Sequence, residues 1–389
     1  MLDSLKVKNF KALKDFEISK LGRFNLIVGK NNSGKSTVLE SLRILAAQGN
    51  PSLINDIVIK HDDQLFTQIR HDVVKDDGNT VKVYEGLFSD RIFPADGSPI
   101  FIGRIDKKKF VEIRQVFFED ITTETKDPDG NVSISKTRKV YNSNLVENNN
   151  LEPAIQVMSN QYMDKPLYLD NDSIDPPLRR RQVSLPDYVE MTPVSFIPTQ
   201  FLSMDLLAEL WDKTILTDYY INIKEFLKLI SEDLEDIAFV KIKNSTRYTR
   251  DIERTGITKL KHHSQPIPLN SMGDGVMRIL QLVLGIFPAA GGILLIDEFE
   301  NGLHFSIQEH LWESIFRLAN ELNIQVFATT HSWDCIEAFT HAAHLYSTKN
   351  DVVLSKIAYG IGENKNKIIS TIYEKDDLLN LTQADVELR

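Results

Sequence analysis

The chain has 389 residues, of which 42% are hydrophobic and 26% charged, and 55 acidic against 45 basic side chains leave a net charge of −10. Such a length holds two or three domains' worth of core or one large α/β domain, and the composition is that of an ordinary globular protein. An acidic total argues against indiscriminate coating of DNA, which needs a local excess of Lys and Arg, although a basic patch could still serve. No apolar run reaches the roughly 18 residues of a membrane-spanning helix, and the opening MLDSLKVKNF lacks an apolar core of signal-peptide length, so export is not expected. The single cysteine, Cys335, rules out an internal disulfide and a Cys-based zinc cage and fits a reducing cytosol.

In chain order, SLKVKNFKALKDFEI alternates apolar and polar residues and predicts a hairpin of two strands. GRFNLIVG reads as a short buried strand, and STVLESLRILAAQG as a helix ending at Gly49. Between them lies GKNNSGKST, residues 29–37, which fits the phosphate-cradling pattern G-x-x-x-x-G-K-[ST] in the strand–loop–helix setting that the pattern requires. From about 51 to 189 the character changes to a β-rich insertion. VKVYEGLF, IFIGRI and KFVEIRQVFF read as strands, DPDGNVSI holds an Asp-Gly turn signal, and the Asn-rich YNSNLVENNN and LDNDSIDPPLRRRQ read as a long loop. SFIPTQF returns to a strand, 201–236 reads as helical throughout, and 238–262 as strands with a basic bias. From 271 the order is helix, buried strand (293–297), helix (304–321), strand (324–330) and a helix from Trp333. Residues 363–389 read as an acidic helical tail. The domain that carries the phosphate loop is therefore expected to be discontinuous, 1–50 and 190–362.

Four stretches carry chemistry. In the phosphate loop, Gly29 and Gly34 allow backbone conformations that aim successive N–H groups at phosphate oxygens. Lys35 would bridge the β- and γ-phosphates and the Ser36 hydroxyl would ligate Mg²⁺, with Asn31, Asn32, Ser33 and Thr37 completing the loop. ILLIDE, residues 293–298, delivers Asp297 at the end of an apolar strand, where a carboxylate can hold Mg²⁺. Glu298 follows as a candidate general base for the attacking water. An acidic cap on a buried strand is the plain alternative, made improbable by the phosphate loop. VFATTHSWD places His331 at another strand tip, either structural or in reach of the γ-phosphate. PLNSMGDGVMRIL sets Ser271, Gly273 and Gly275 before a helix, as a second anion site or as a cap by Ser271 or Asp274.

Together these motifs resemble those of ABC-type ATPases of the SMC/RecF/OLD branch, whose opening strands are similar to LKVKNFKALKDFEI and where NSMGDG stands in the place of the transporters' LSGGQ-type signature. LLIDEFENGLH and ATTHSWDCIEAF are most similar to stand-alone OLD-like AAA ATPases of bacteria and archaea. The resemblance implies an ABC-ATPase head, a P-loop core with a mixed or parallel sheet and N-terminal antiparallel strands, using ATP and Mg²⁺. It further implies a head-to-tail homodimer with ATP sandwiched between one subunit's phosphate loop and the other's Ser271 and Gly273, the loop Asn301–His304 communicating across it. Gln200 stands as the candidate for the family's glutamine over Mg²⁺. The middle segment is too short for SMC coiled coils, and the tail after His331 is too short for the TOPRIM nuclease domain of OLD proteins. The expected role is thus a cytoplasmic sensor or assembly ATPase of an anti-phage defence complex acting with a separate effector such as a nuclease; the alternative is a RecF-like ATPase that clamps DNA. The insertion is the expected docking surface.

Weaker candidates remain. Asp127/Asp129 and Asp170/Asp172 form D-x-D pairs, read as solvated turns. His341 and His344 share a helix face and want a third ligand. Lys241, Lys243, Arg247, Arg250, Arg254, Lys259 and Lys261 outnumber Asp251 and Glu253 and either track nucleic acid or form a solvated strand face. Arg179–Arg181 is a phosphate contact or a charged loop.

Overall fold

The computed structural model describes residues 1–60, 80–126, 132–142, 151–160, 166–169, 192–217, 219–228, 233–242, 253–347, 351–362, 365 and 367–383. The opening alternation makes the expected hairpin, β1 (Leu5–Phe10) and β2 (Leu13–Ile18), which bury Leu5, Val7, Phe10, Leu13, Phe16 and Ile18 and pair antiparallel with Lys6 opposite Glu17. β3 (Phe24–Val28) is buried at all five positions, as befits the interior of a parallel sheet. It runs into the phosphate loop and α1 (Lys35–Ala46), which α2 (Pro51–Lys60) follows.

The strands from the stretch 51–189 extend the sheet that the hairpin begins. β4 (Ile100–Gly103) bonds to β1, β5 (Phe110–Lys126) to β4, β6 (Val132–Asn142) and β7 (Glu152–Ser159) to β5, and β8 (Leu167–Leu169) to β7, giving the order β2-β1-β4-β5-β7-β8. Ile100, Ile113 and Val157 share one core with Val38, Leu42 and Leu45 of α1. VKVYEGLF is no strand: residues Thr80–Leu87 form a 3₁₀ helix. Its three-residue repeat puts Val81, Tyr84 and Leu87, all buried, on one face, while β4 takes the place beside β1.

The second sheet has the order β16-β15-β3-β14-β13-β9. β9 (Val194–Ile197), β13 (Ile293–Ile296), β14 (Gln325–Thr330), β3 and β15 (Val352–Tyr359) are parallel, and β16 (Ile368–Glu374) closes the edge antiparallel. Alternate residues face opposite layers. Ile27, Leu295 and Phe327 join the core under α1, whereas Leu26, Leu294 and Val326 face the other helical layer. That layer comprises α3 (Met204–Thr214), α4 (Tyr219–Lys228), α5 (Asp274–Ile286), α6 (Phe305–Glu321) and α7 (Trp333–Tyr346). The Phe24 and Phe316 rings stack at 3.8 Å and those of Phe299 and Trp312 at 4.1 Å, tying α6 to β3 and to the turn after β13.

Two stretches differ from their expected form. The helix expected to 236 ends earlier, because β10 (Leu234–Ile242) buries Leu234 and Ile237 while pairing with β11 (Glu253–Leu260), which bonds in turn to β12 (Ile267–Pro268). Among the described residues the tail is helical only at α8 (Lys375–Gln383), since Ile368–Glu374 covers the edge of β15.

β9 and β13 approach so closely at their start that Ile293 N donates to the Pro193 carbonyl at 2.8 Å, and a Cβ on Gly292 would overlap that same carbonyl. Gly292→Ala must displace backbone, so it should cost roughly 1–3 kcal/mol of stability, read as a lowered Tm. A Tm equal to the parent's would contradict this packing.

Candidate functional site

The carboxyl ends of β3, β13, β14 and β9 converge, which is where parallel α/β sheets place their ligands. The loop after β3 is shaped by backbone constraints. Gly34 has φ +91° and Asn32 φ +62°, and a Cβ on Gly29 would lie 2.5 Å from the Ile357 carbonyl and 2.7 Å from Ser33 Oγ. Lys35, the first residue of α1, turns back so that Nζ donates to the Gly29 carbonyl at 2.7 Å and the Lys30 carbonyl at 3.0 Å. Burial lowers its pKa below the usual lysine range, against the opposing charges of Glu298, Glu300 and Asp297. Ser33 Oγ is buried without a hydrogen-bond partner among the described residues.

The acidic strand meets this loop directly. Ser36 Oγ donates to Asp297 Oδ1 at 3.2 Å, and Thr329 Oγ1, from β14, donates to the same oxygen at 2.7 Å. Thr329 Oγ1 also accepts from Glu298 N at 2.8 Å, so one hydroxyl spans the Asp-Glu pair. Glu298 has φ +46°, a left-handed backbone that L residues with long side chains rarely adopt. His331 lies beside it. The His331 N–H donates to Glu300 Oε1 at 2.9 Å, and Nδ1 lies 3.0 Å from that oxygen and 4.0 Å from Glu298 Oε1. A proton on Nδ1 facing Glu300 leaves Nε2 free for another group.

Three contributors escape sequence reasoning: Thr329, Glu300 and Arg278. Arg278 lies fully buried on α5. Its Nη1 donates to the Pro198 carbonyl at 2.6 Å, and its Nη2 to the carbonyls of Asp297 at 2.8 Å and Glu298 at 2.7 Å. Burial pulls its pKa down to about 10, opposed by the charges of Asp297, Glu300 and Glu298. The available signal was a lone charge in VMRILQLVLGI, an otherwise apolar helix, because a buried cation needs a specific set of acceptors. For Glu300 the signal was the repeated acid in DEFE.

The other candidates fall as follows. Gln200 is exposed just beyond β9, and its carbonyl accepts from Gln281 Nε2 at 3.1 Å. Asn301 Nδ2 donates to the Thr199 carbonyl at 2.9 Å, so the segment after β9 is stitched to the turn after β13. Ser271 lies in a 3₁₀ turn, Leu269–Met272, and its hydroxyl donates to the Pro268 carbonyl at 2.6 Å. Neither Ser271 nor Asp274 caps α5: the N-cap is Gly273, at φ +89°, with no side-chain cap bond. Ser271 and Gly273 are exposed, and neither bonds to the phosphate loop among the described residues. His304 caps α6 by accepting from Ser306 N at 3.3 Å. His341 Nδ1 lies 3.4 Å from Glu309 Oε1, and no group of three metal-capable side chains occurs among the described residues. Of the basic strand residues, Arg254 forks onto both carboxylate oxygens of Asp212 and Lys259 pairs with Glu235 at 2.7 Å. Lys243, Arg247, Arg250, Asp251, the two D-x-D pairs and Arg179–Arg181 lie outside the described residues.

The residues present fit a magnesium nucleotide. A hydroxyl and a carboxylate 3.2 Å apart, Ser36 and Asp297, are hard oxygen donors suited to Mg²⁺. The glycine-bounded loop with its orphaned Ser33 hydroxyl and the Lys35 ammonium suits phosphate oxygens.

A parallel sheet leading into such a loop, flanked by strand tips bearing Asp297-Glu298 and His331 and by an antiparallel sheet sharing α1, defines an ABC-type P-loop ATPase head. The chain belongs to the family described as "AAA domain, putative AbiEii toxin, Type IV TA system", which matches residues 24–334. A Helicobacter pylori protein named "ATP/GTP phosphatase" is 24% identical over 390 residues, covering 92% of this chain and 96% of its own length. Among solved structures, an SMC head bound to the C-terminal winged-helix domain of ScpA is 12% identical and covers 96% of this chain and 98% of its own, at a TM-score of 0.46. An SMC head with an extended coiled coil, bound to the C-terminal domain of ScpA from Pyrococcus furiosus, is also 12% identical, with 99% of both chains covered and a TM-score of 0.44. No helix among the described residues is long and apolar enough to cross a membrane.

Arg278→Lys keeps the charge but loses the planar fork that reaches three carbonyls. It should lower ATP turnover more than about tenfold while nucleotide affinity stays within about threefold. Turnover equal to the parent's would separate Arg278 from the site.

Proposed function

We propose that this chain hydrolyses ATP with Mg²⁺ in a site completed by a second copy, as the sensor or assembly ATPase of a prokaryotic anti-phage defence complex with a separate effector. The observation that carries the hydrolytic part is the shared oxygen of Asp297, bonded at once by Ser36 from the phosphate loop and Thr329 from the neighbouring strand. Lys35 exchanges its bonds to the loop carbonyls for the β- and γ-phosphate oxygens, which are stronger acceptors because they carry full charge. Ser36 and Asp297 would hold Mg²⁺, which would neutralise charge on the phosphates. Glu298 takes the proton of the attacking water, its carboxylate aimed by a backbone that Arg278 and Thr329 fix from both sides. His331, anchored by Glu300, presents Nε2 towards the γ-phosphate and senses its loss. Gln200, at the exposed end of β9, would be a further ligand to Mg²⁺.

The paired state is supported by the position of the signature turn. Ser271 and Gly273 face solvent and bond only locally, which leaves them open to a phosphate carried by another molecule. The N-terminus of α5 supplies the positive pole for that contact, and the loop Asn301–His304 lies against it, a Cβ on Gly275 being 3.3 Å from the Gly302 carbonyl. The defence setting is supported by the family description, which names a toxin of a toxin–antitoxin system, and ATP as substrate by the name of the H. pylori relative. A RecF-like DNA clamp is less well supported, because Arg254 and Lys259 are engaged by carboxylates of neighbouring elements.

Glu298→Gln should keep ATP binding within about threefold and reduce hydrolysis at least a hundredfold, since it removes the base and retains the shape. Turnover within about threefold of the parent would show that Glu298 is not the base. The separate effector is tested by incubating the purified chain with DNA or RNA, ATP and Mg²⁺ or Mn²⁺. The substrate should remain intact; cleavage lost on mutating carboxylates within 51–189 would make this chain the effector.

A further inference from the structure

At the opposite ends of β13 and β14 from Asp297 and Thr329 lies a cavity of about 330 Å³ that none of the site chemistry uses. One wall is apolar: Leu42 and Leu45 from α1 and Ile293 from the start of β13. The other is the turn between β4 and β5, which reads Arg-Ile-Asp-Lys-Lys-Lys and supplies Arg104, Lys108 and Lys109. This turn is held rigidly. Arg104 N donates to the Lys109 carbonyl at 2.8 Å, Lys108 N to Asp106 Oδ1 at 3.0 Å, and Asn160 bonds both Lys108 O, at 2.8 Å, and Phe110 N, at 2.6 Å.

Charge in the turn is unevenly matched. The Arg104 guanidinium bonds the carboxylates of Asp3 and Asp106, and Lys108 lies 3.9 Å from Asp106. Lys109 differs: its Nζ donates to Thr192 Oγ1 at 3.2 Å, and no carboxylate of the described residues pairs with it. Burial is the one cause acting on its pKa, and it lowers it. A half-buried ammonium with a single hydroxyl for partner gives up hydration for little return, and two of its donor hydrogens have no partner among the described residues. Perturbed, unmatched charges in a cavity of ligand size are a mark of binding sites.

We infer that this cavity binds a small organic anion, its carboxylate or phosphate head on Lys109 with Lys108 at the rim, and its apolar body against Leu42, Leu45 and Ile293. The site is separate from the phosphate loop, about 15 Å away along α1, and stands whether or not the chain hydrolyses ATP.

Phenyl phosphate and benzoate serve as probes, with inorganic phosphate and phenol as head-only and body-only controls, titrated by calorimetry with the full chain. To exclude the phosphate loop, titrations are run on the parent with saturating ATP and on Lys35→Ala. At least one probe should saturate below about 10 mM in both, and each control should bind at least about tenfold more weakly. Lys109→Met should weaken the probe tenfold or more, while Lys109→Arg, which retains the charge, should bind within about threefold of the parent and guards against a folding defect. Benzoate and phenyl phosphate together distinguish a carboxylate from a phosphate head. Absence of saturable binding by either probe, binding indifferent to Lys109→Met, or binding lost in Lys35→Ala would each overturn the site.

Discussion

A guanidinium with no exposed surface holds the catalytic end of this molecule together. Arg278 donates to the carbonyls of Pro198, Asp297 and Glu298, which are the exits of β9 and β13, and it does so from the helix whose N-terminus is the exposed signature turn. Burying a lone cation costs several kcal/mol unless its donors are matched. Here three carbonyls on Nη1 and Nη2 and the nearby charges of Asp297, Glu300 and Glu298 offset part of that cost, while Nε is buried without a partner among the described residues. The consequence is mechanical: α5 cannot shift relative to the sheet without moving the backbone that aims Glu298. Arg278 thereby joins the helix that begins at Gly273 to the backbone of Asp297 and Glu298 through a single side chain.

Around that tie the polar groups are already arranged as a charged ligand would want them. Lys35 rests on two carbonyls of its own loop, and Thr329 holds the carboxylate of Asp297 with one side of its hydroxyl and the Glu298 amide with the other. Hydrogen bonds in such a site need only be exchanged, not built, so little reorganisation accompanies binding. Glu300 does the same for His331 by taking both its backbone N–H and its ring, on a carboxylate whose second oxygen is buried without a partner among the described residues.

The phosphate loop, the acidic strand and the order of the elements from 271 to 346 were legible because each is dictated locally, by glycine at unusual φ, by apolar runs of strand length and by helix periodicity. The tie itself was not. Arg278, Thr329 and the Glu300–His331 pair act through carbonyls and amides from segments that meet only when β9, β13 and β14 lie side by side, and residue spacing carries no trace of such partners. β15 and β16 were missed for a related reason. VVLSKIAY is buried against β3 and shows no clean alternation, so its place is set by the sheet edge it completes. In VKVYEGLF the apolar residues suited a strand and a three-residue helix alike, and burial of Val81, Tyr84 and Leu87 decided for the helix.

The central claim is that one subunit's phosphate loop works with the other subunit's signature turn, which makes activity a property of the pair. Mixing two inactive variants tests it most directly. Lys35→Ala disables the loop and leaves the signature intact, whereas Ser271→Arg does the reverse. In a mixed dimer one of the two composite sites has both halves unaltered, so steady-state ATP turnover should reappear on mixing, at up to about half the parent rate per mixed dimer. A mixture as inactive as its components, with mixed dimers demonstrably formed, would contradict the account.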